Sequence, residues 1–456
     1  MNQRRDIMNA NEKKSSPLAL LGGPKTIEKD PGDLFTWPIV TEEHEQAVLE
    51  VIRAGKMSGV DVTREFEKEY SSEIGMKYAL ACNNGTAAIH CGLYGLGVSA
   101  GDEVICPSLT YWASISQVYS LGATPVFAEV DRDTLCLDPD DFARRITPKT
   151  KVVVVVHYAG VPADMDRIMD IARRHKIKVF EDGSHAHAAL YKGKQVGTFG
   201  DASGFSLMSG KSFAVGEGGI LFTNDQEVYE RAALFGHYER HGELELEHVK
   251  EFGGIPCGGY KYRMHQASSA FGRVQLKVYR AMFEEIDRAM NRYCDLIDAI
   301  PGIQAHRPEA GSGSTKGGWY FPLAHYDREQ FGGLSVKRFC DALNAEGSTG
   351  GPGCNKPLHP HPLFNSMDVY GHGQPTRMAM AGEQRDNLVQ PEGSLPVTES
   401  INARIMALPW FKHDRPEDIE QYAAAMRKVA ENYEDLLPED KAEETVGGYS
   451  STFRGR

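Results

Sequence analysis

The sequence predicts an α/β protein: a large domain on a mainly parallel sheet with helices on both faces, then a smaller C-terminal α/β domain. Three observations predict it. At 456 residues the chain is too long for one small core. From about residue 60 to 225, short apolar runs alternate with amphipathic stretches, the signature of strand–helix–strand units. A helical pattern over 266–299 then connects the two domains.

Residues 1–38 read as a leader and an arm. Positions 1–16 are polar and charged, a disordered leader without the apolar core of a secretory signal. Positions 20–38 read as extended, with a turn at Gly22-Gly23-Pro24. The large domain is expected over 39–285. It opens with a helix at 42–54, where Val48, Val51 and Ile52 recur at helical spacing and Gly55 stands at the C-cap. Strands are expected at 78–82, 103–106, 124–127, 152–156, 178–181 and 202–207, and helices at 87–96, 111–121, 139–146 and 165–175. The longest apolar run, Val152 to Val156, is strand-sized and far too short to span a membrane. The smaller domain is expected over 286–437, with a helix at 417–436. Its stretch 347–393 is rich in Gly, Pro and His and reads as a long functional loop or a partly disordered one. Residues 438–456 read as a polar tail. There are no internal repeats.

Lys+Arg total 50 and Asp+Glu 63, a net charge of −13, and no long basic block occurs. Nucleic acid and anionic membrane are therefore poor partners. The eight cysteines are scattered, with no CxxC pair, as expected of reduced thiols in a cytoplasmic protein. His185 with His187, and His359 with His361, lack a third ligand at a telling spacing, so no metal site is expected.

Lys211 lies between the strand pattern at 202–207 and the glycine-rich turn Gly216-Glu217-Gly218-Gly219. Upstream, Asp182 ends a strand in Phe180-Glu181-Asp182-Gly183-Ser184-His185. A lysine amine and a buried acid are what pyridoxal phosphate (PLP) chemistry needs: the amine condenses with the aldehyde and the acid keeps the ring nitrogen protonated. Glu181, one residue earlier, should point to the other face of the sheet. Asn84-Gly85-Thr86 follows a strand and opens a helix. It reads as a phosphate cradle or as an ordinary capped turn. Tyr111 and Trp112, after another strand, are candidates to stack on a planar cofactor, or core.

Taken in order, Asn84-Gly85-Thr86-Ala87-Ala88, His157-Tyr158-Ala159-Gly160 with Asp164-Met165-Asp166, Glu181-Asp182 with His185-Ala186-His187, and Phe205-Ser206 with Lys211 and Gly216-Glu217-Gly218-Gly219 resemble the DegT/DnrJ/StrS family of fold-type-I, PLP-dependent sugar and cyclitol aminotransferases. The resemblance covers about 55–276 and resumes at Leu395-Pro396-Val397-Thr398-Glu399 and Ala407-Leu408-Pro409. It implies a ping-pong aminotransferase that moves an amino group from glutamate or glutamine to a keto-sugar or keto-cyclitol. Lys211 would be the Schiff-base lysine and proton shuttle, and Asp182 the partner of the pyridine nitrogen. His185 would lie near the cofactor's phenolic oxygen, with Tyr111 stacking on the ring and Gly85, Thr86 and Ser206 at the phosphate. Lys261 stands where many members carry an Asn that reaches the phosphate across a dimer interface, so a homodimer with shared sites is implied. Two alternatives remain at this point: a dehydrating or aromatising enzyme of the aminohydroxybenzoate-synthase type on the same scaffold, and a non-catalytic PLP-binding regulator.

Overall fold

A computed structural model of the protein describes residues 16–382, 388–441 and 447–449. Positions 1–15 of the expected leader, 383–387 of the Gly/Pro/His-rich stretch, and 442–446 and 450–456 of the expected tail lie outside the described residues.

The first unit opens with α1 (Glu42–Arg53) and α2 (Asp61–Ile74). The alternating elements come next: β1 (Tyr78–Cys82), α3 (Gly85–Gly95), β2 (Glu103–Pro107), β3 (Thr124–Ala128), α4 (Pro139–Arg145), β4 (Thr150–Val156), α5 (Met165–His175) and β5 (Lys178–Asp182). A short hairpin, β6 (Leu190–Tyr191) and β7 (Lys194–Gln195), precedes β8 (Ala202–Ser206), β9 (Gly219–Thr223), α6 (Gln226–Gly236) and a single turn, α7 (Glu247–Lys250). Seven strands form one sheet in the order β1-β9-β8-β5-β4-β2-β3, and only β9 runs against the others. Both faces are covered. Leu80, Cys82 and Leu221 pack with α3 and α6, while Ala79, Ala81, Ile220 and Phe222 pack with α2 and α8 (Gln266–Asp298). Period-two alternation therefore feeds two cores from one sheet.

The helix expected at 111–121 is instead two 3-10 segments, Trp112–Ser114 and Ser116–Leu121, broken at Ile115. Hydroxyl bonding displaces the regular helix here: Ser114 and Thr110 turn their side chains inward to each other and to Asp182.

The 33 residues of α8 run unbroken past residue 285, so the two units share a helix. Beyond it come β10 (Ile303–Ala305), β11 (Leu323–Tyr326), α9 (Val336–Ala345), β12 (Gly351–Pro352), α10 (Pro362–Asn365), α11 (Thr376–Ala381), α12 (Pro396–Ser400), β13 (Ile405–Ala407) and α13 (Pro416–Glu431). The second sheet has the order β10-β11-β13-β12 and is antiparallel throughout.

Much of the stretch expected to be irregular packs on the first unit. The Gln390 side-chain amide accepts from the Phe127 N–H (2.9 Å) and donates to its carbonyl (2.8 Å), closing part of the open edge at β3. His359 bridges Ser108 (2.7 Å) and Glu399 (2.8 Å) beside β2.

The arm also docks. Leu18, Ile27 and Leu34 are buried, Phe35 lies against Phe411 and Tyr422, and Glu346 binds the Ala19 and Thr26 N–H groups.

Candidate active site

Parallel strands end together, and their C-terminal ends form a crevice. Here the ends of β1, β2, β4, β5 and β8 deliver Asn84, Thr110, Val156, Asp182 and Ser206 to one cavity of about 210 Å³. Seven of the eight residues singled out in the sequence line it: Gly85, Thr86, Tyr111, Asp182, His185, Ser206 and Lys211. Lys261 does not. It is exposed, with its ammonium 5.7 Å from the Tyr238 ring centroid of the same chain.

Asp182 is buried, and two donors hold its carboxylate. Ser114 Oγ donates to one oxygen at 2.7 Å and the Ser184 N–H to the other at 3.1 Å. Thr110 in turn donates to Ser114 Oγ at 2.8 Å, since the Ser114 proton is already given to the acid. Glu181 points away from the cavity, as alternation requires. It accepts from His157 Nε2 (3.0 Å) and from the N–H groups of Gly197, Phe199 and Gly200. Burial raises its pKa, but the His157 bond and the backbone donors outweigh that and hold it below the usual carboxylate range.

His185 accepts the Ala159 N–H at Nδ1 (3.2 Å). Burial pushes its pKa well below the ordinary value, and Lys211, His187 and Lys316 add to the shift. The ring is therefore neutral, and with Nδ1 accepting, its proton sits on Nε2.

At α3 the Asn84 side chain caps the Ala87 N–H (2.8 Å) and the Asn84 carbonyl takes the Ala88 N–H. The helix leaves the Gly85 and Thr86 N–H groups over, directed at the cavity with the positive end of the helix dipole. A Cβ on Gly85 would lie 2.6 Å from Ser206 Cβ, so glycine is what lets β8 and the helix start share this corner. A phosphate at these donors, a ring nitrogen at Asp182 and an aldehyde at Lys211 fit the residues present.

Lys211 is buried, with its Nζ 4.1 Å from the centroid of the Tyr320 ring. Tyr320 arrives on a twisted segment from the second unit, where Trp319 and Phe321 each have φ of 57° and Gly317 has 66°. Left-handed backbone at two bulky residues is strained, as often seen where a side chain must be aimed at a site. Sequence reasoning missed Ser114 and Tyr320. The first has a signal, hydroxyls at i and i+4 after a strand. The second is marked only by Gly317-Gly318 ahead of three aromatics, more than 100 positions from Lys211 in the chain.

Known proteins resemble this chain over most of its length. The family model "DegT/DnrJ/EryC1/StrS aminotransferase family" matches residues 38–378. The chain is 29% identical over 405 residues to the spore coat polysaccharide biosynthesis protein SpsC of Bacillus subtilis, covering 87% of this chain and 96% of that one. It is 31% identical over 414 residues to the L-glutamine:2-deoxy-scyllo-inosose aminotransferase of Streptomyces kanamyceticus, with 87% and 93% covered. Among solved structures it resembles DesI in the presence of its TDP-sugar product, with a TM-score of 0.74, 26% identity, and 92% and 98% covered.

Proposed function

Because this chain belongs to the DegT/DnrJ/EryC1/StrS aminotransferase family, we propose that it is a PLP-dependent enzyme that transfers an amino group from glutamine or glutamate to a keto-sugar or keto-cyclitol. One observation carries the reading: Lys211, Asp182, His185 and the free start of α3 line a single cavity at the carboxyl ends of a parallel sheet. The glutamine:cyclitol aminotransferase and the TDP-sugar-bound protein among its relatives support the donor and acceptor classes.

When bound, PLP supplies an aldehyde that condenses with amines and a ring that accepts the electrons of a broken C–H bond. Lys211 would hold the cofactor through its aldehyde, and its amine, when free, would be the group that carries a proton at the substrate carbon. The Asp182 carboxylate, oriented by Ser114 and Ser184, would hold the ring nitrogen in its protonated form. His185, with its proton on Nε2, would donate toward the cofactor's phenolic oxygen. Gly85, Thr86 and Ser206 would hold the phosphate, and Tyr111 would stack on the ring. Lys261 serves the phosphate of a second subunit, making a homodimer the working unit. Eight free cysteines, seven of them buried, support a cytoplasmic setting.

The test is half-transamination. Protein loaded with PLP is mixed with glutamine or glutamate, and bleaching of the visible band is monitored. Keto-sugars and keto-cyclitols are then screened for its return. No bleaching with either donor overturns the assignment.

A further inference from the structure

Lys211 lies in the loop between β8 and β9, where no strand partner holds its backbone. Its N–H donates to the Met208 carbonyl at 2.8 Å within the loop. Its carbonyl is held from far away: the Trp37 indole Nε1–H donates to it at 2.9 Å. Trp37 is the last residue of the arm before Pro38, 174 positions earlier in the chain.

The indole is itself fixed. Its ring centroid is 5.5 Å from that of Trp410, and Trp410 also contacts Tyr320 at 6.1 Å. Lys412 stands over the same pair, its Nζ 3.0 Å from the Trp410 centroid and 5.4 Å from that of Trp37. At the arm's other end, the buried Glu346 carboxylate binds the Ala19 N–H (2.8 Å), Thr26 Oγ1 (2.8 Å) and Lys428 (2.7 Å). The arm is thus anchored at both ends, and one anchor is the peptide unit of the lysine. Lys211 is then held at both ends: its backbone carbonyl by Trp37, its Nζ against the Tyr320 ring.

We infer that Trp37 is a positioning residue for Lys211. By holding the carbonyl it fixes the direction in which the lysine side chain leaves the backbone, and so where the amine sits relative to Asp182 and His185. This rests on Lys211 being the lysine that binds the cofactor. The amine has to serve two positions, bonded to the cofactor and then free to carry a proton. Both demand placement within a fraction of an ångström, and a 1 Å error costs on the order of 100-fold in rate.

The experiment replaces Trp37 with β-(3-benzothienyl)alanine, which keeps the ring shape and puts sulfur in place of the N–H. Trp37→Phe is made alongside it, with Phe35→Leu as a comparator that loosens the arm but leaves the indole. All are loaded with PLP. On the parent enzyme, borohydride reduction and peptide mass first locate the adduct. An adduct away from Lys211 overturns the site assignment itself, independently of any variant. With the adduct on Lys211, two quantities are read: the pH midpoint of the visible band of the lysine-bound cofactor, and the single-turnover rate with glutamine or glutamate as a function of donor concentration. Both Trp37 variants keep the adduct on Lys211, shift the pH midpoint, and lose roughly 10- to 100-fold in the limiting rate at an unchanged half-saturating donor concentration. Phe35→Leu lowers the melting temperature and moves neither quantity. An unchanged midpoint and rate in the benzothienyl variant overturn the inference. So does a Phe35→Leu enzyme whose midpoint moves as far as that of the Trp37 variants, for then arm docking in general, and not the N–H, is what matters.

Discussion

Asp182 reaches the cavity with its carboxylate already oriented by Ser114 and Ser184, so on the proposed function little reorganisation would be left to do when a cationic ring nitrogen arrives. Asp182→Asn keeps the shape and removes the charge. Cofactor is retained and turnover falls by at least ~100-fold, about the 3 kcal/mol of a lost preorganised partner. Steady-state kinetics on the folded, PLP-loaded variant checks this, and near-normal turnover contradicts the role. Ser114→Ala removes one donor only and costs about 1–2 kcal/mol in kcat/KM. A second residue gives a pH effect on stability. Lys316 is buried, its ammonium has the His306 carbonyl as partner at 2.7 Å, and burial lowers its pKa from 10.5 to about 7. Its folded pKa lies below its unfolded one, so between about 7 and 10.5 the unfolded chain binds more protons and stability rises with pH. Lys316→Met removes that slope. From pH 7 to 8.5 the parent gains on the order of 2 kcal/mol relative to the variant, read as the divergence of their urea midpoints. Parallel midpoints across that range exclude the effect. Asp182 and Lys211 were legible in the sequence because each ends or comes just after a strand and carries chemistry in its own side chain. Ser114 was harder to read, since its part is to orient another residue.

At the scale of elements, α3 and the arm are the two whose positions decide the site. Gly85→Ala would put a methyl group 2.6 Å from Ser206 Cβ and 2.8 Å from its Cα. Backbone has to move, so the start of α3 is displaced from the phosphate position. PLP affinity falls at least tenfold, measured by fluorescence titration, while the fold survives. The arm depends on Glu346. Glu346→Ala leaves two arm N–H groups and the Thr26 hydroxyl without their acceptor, while Lys428 keeps the Pro24 carbonyl, and lowers stability by roughly 1–3 kcal/mol, the cost of unsatisfied buried donors. Faster proteolysis within residues 16–37 should accompany it. Most elements of the first unit were readable from period and run length, α5 to the residue. The helix expected at 111–121 was not, because apolar spacing carries no information about hydroxyls competing for the backbone. The stretch 347–393 was not readable either. Its order comes from Gln390 and His359 binding an edge more than 200 positions away, and no local pattern encodes that.

The whole molecule is one connected body in which α8 belongs to both units and the second unit sends Tyr320 over Lys211. If two such bodies share sites through Lys261, mixing Lys211→Ala with Lys261→Met subunits restores activity, because the mixed dimer has one site free of both substitutions. Lys261→Met alone weakens PLP binding by about 1.5–3 kcal/mol, the range for a charge-assisted bond. Unchanged affinity together with no recovery on mixing returns Lys261 to the surface. The partnership between the arm and the rest of the chain also has a consequence in time. The arm leaves the ribosome well before its docking sites, which lie at Glu346, Trp410, Phe411, Tyr422 and Lys428, are made. At about 5–20 residues per second, the wait is roughly 20–80 s. Throughout it Leu18, Leu34, Phe35 and Trp37 have no surface to cover, and Lys211, though synthesised, has no hold on its carbonyl. If Trp37 positions Lys211 as inferred, the lysine takes its final place only after Trp410 has been made. A nascent chain stalled short of Trp410 should carry a correctly ordered first sheet and a poorly placed Lys211.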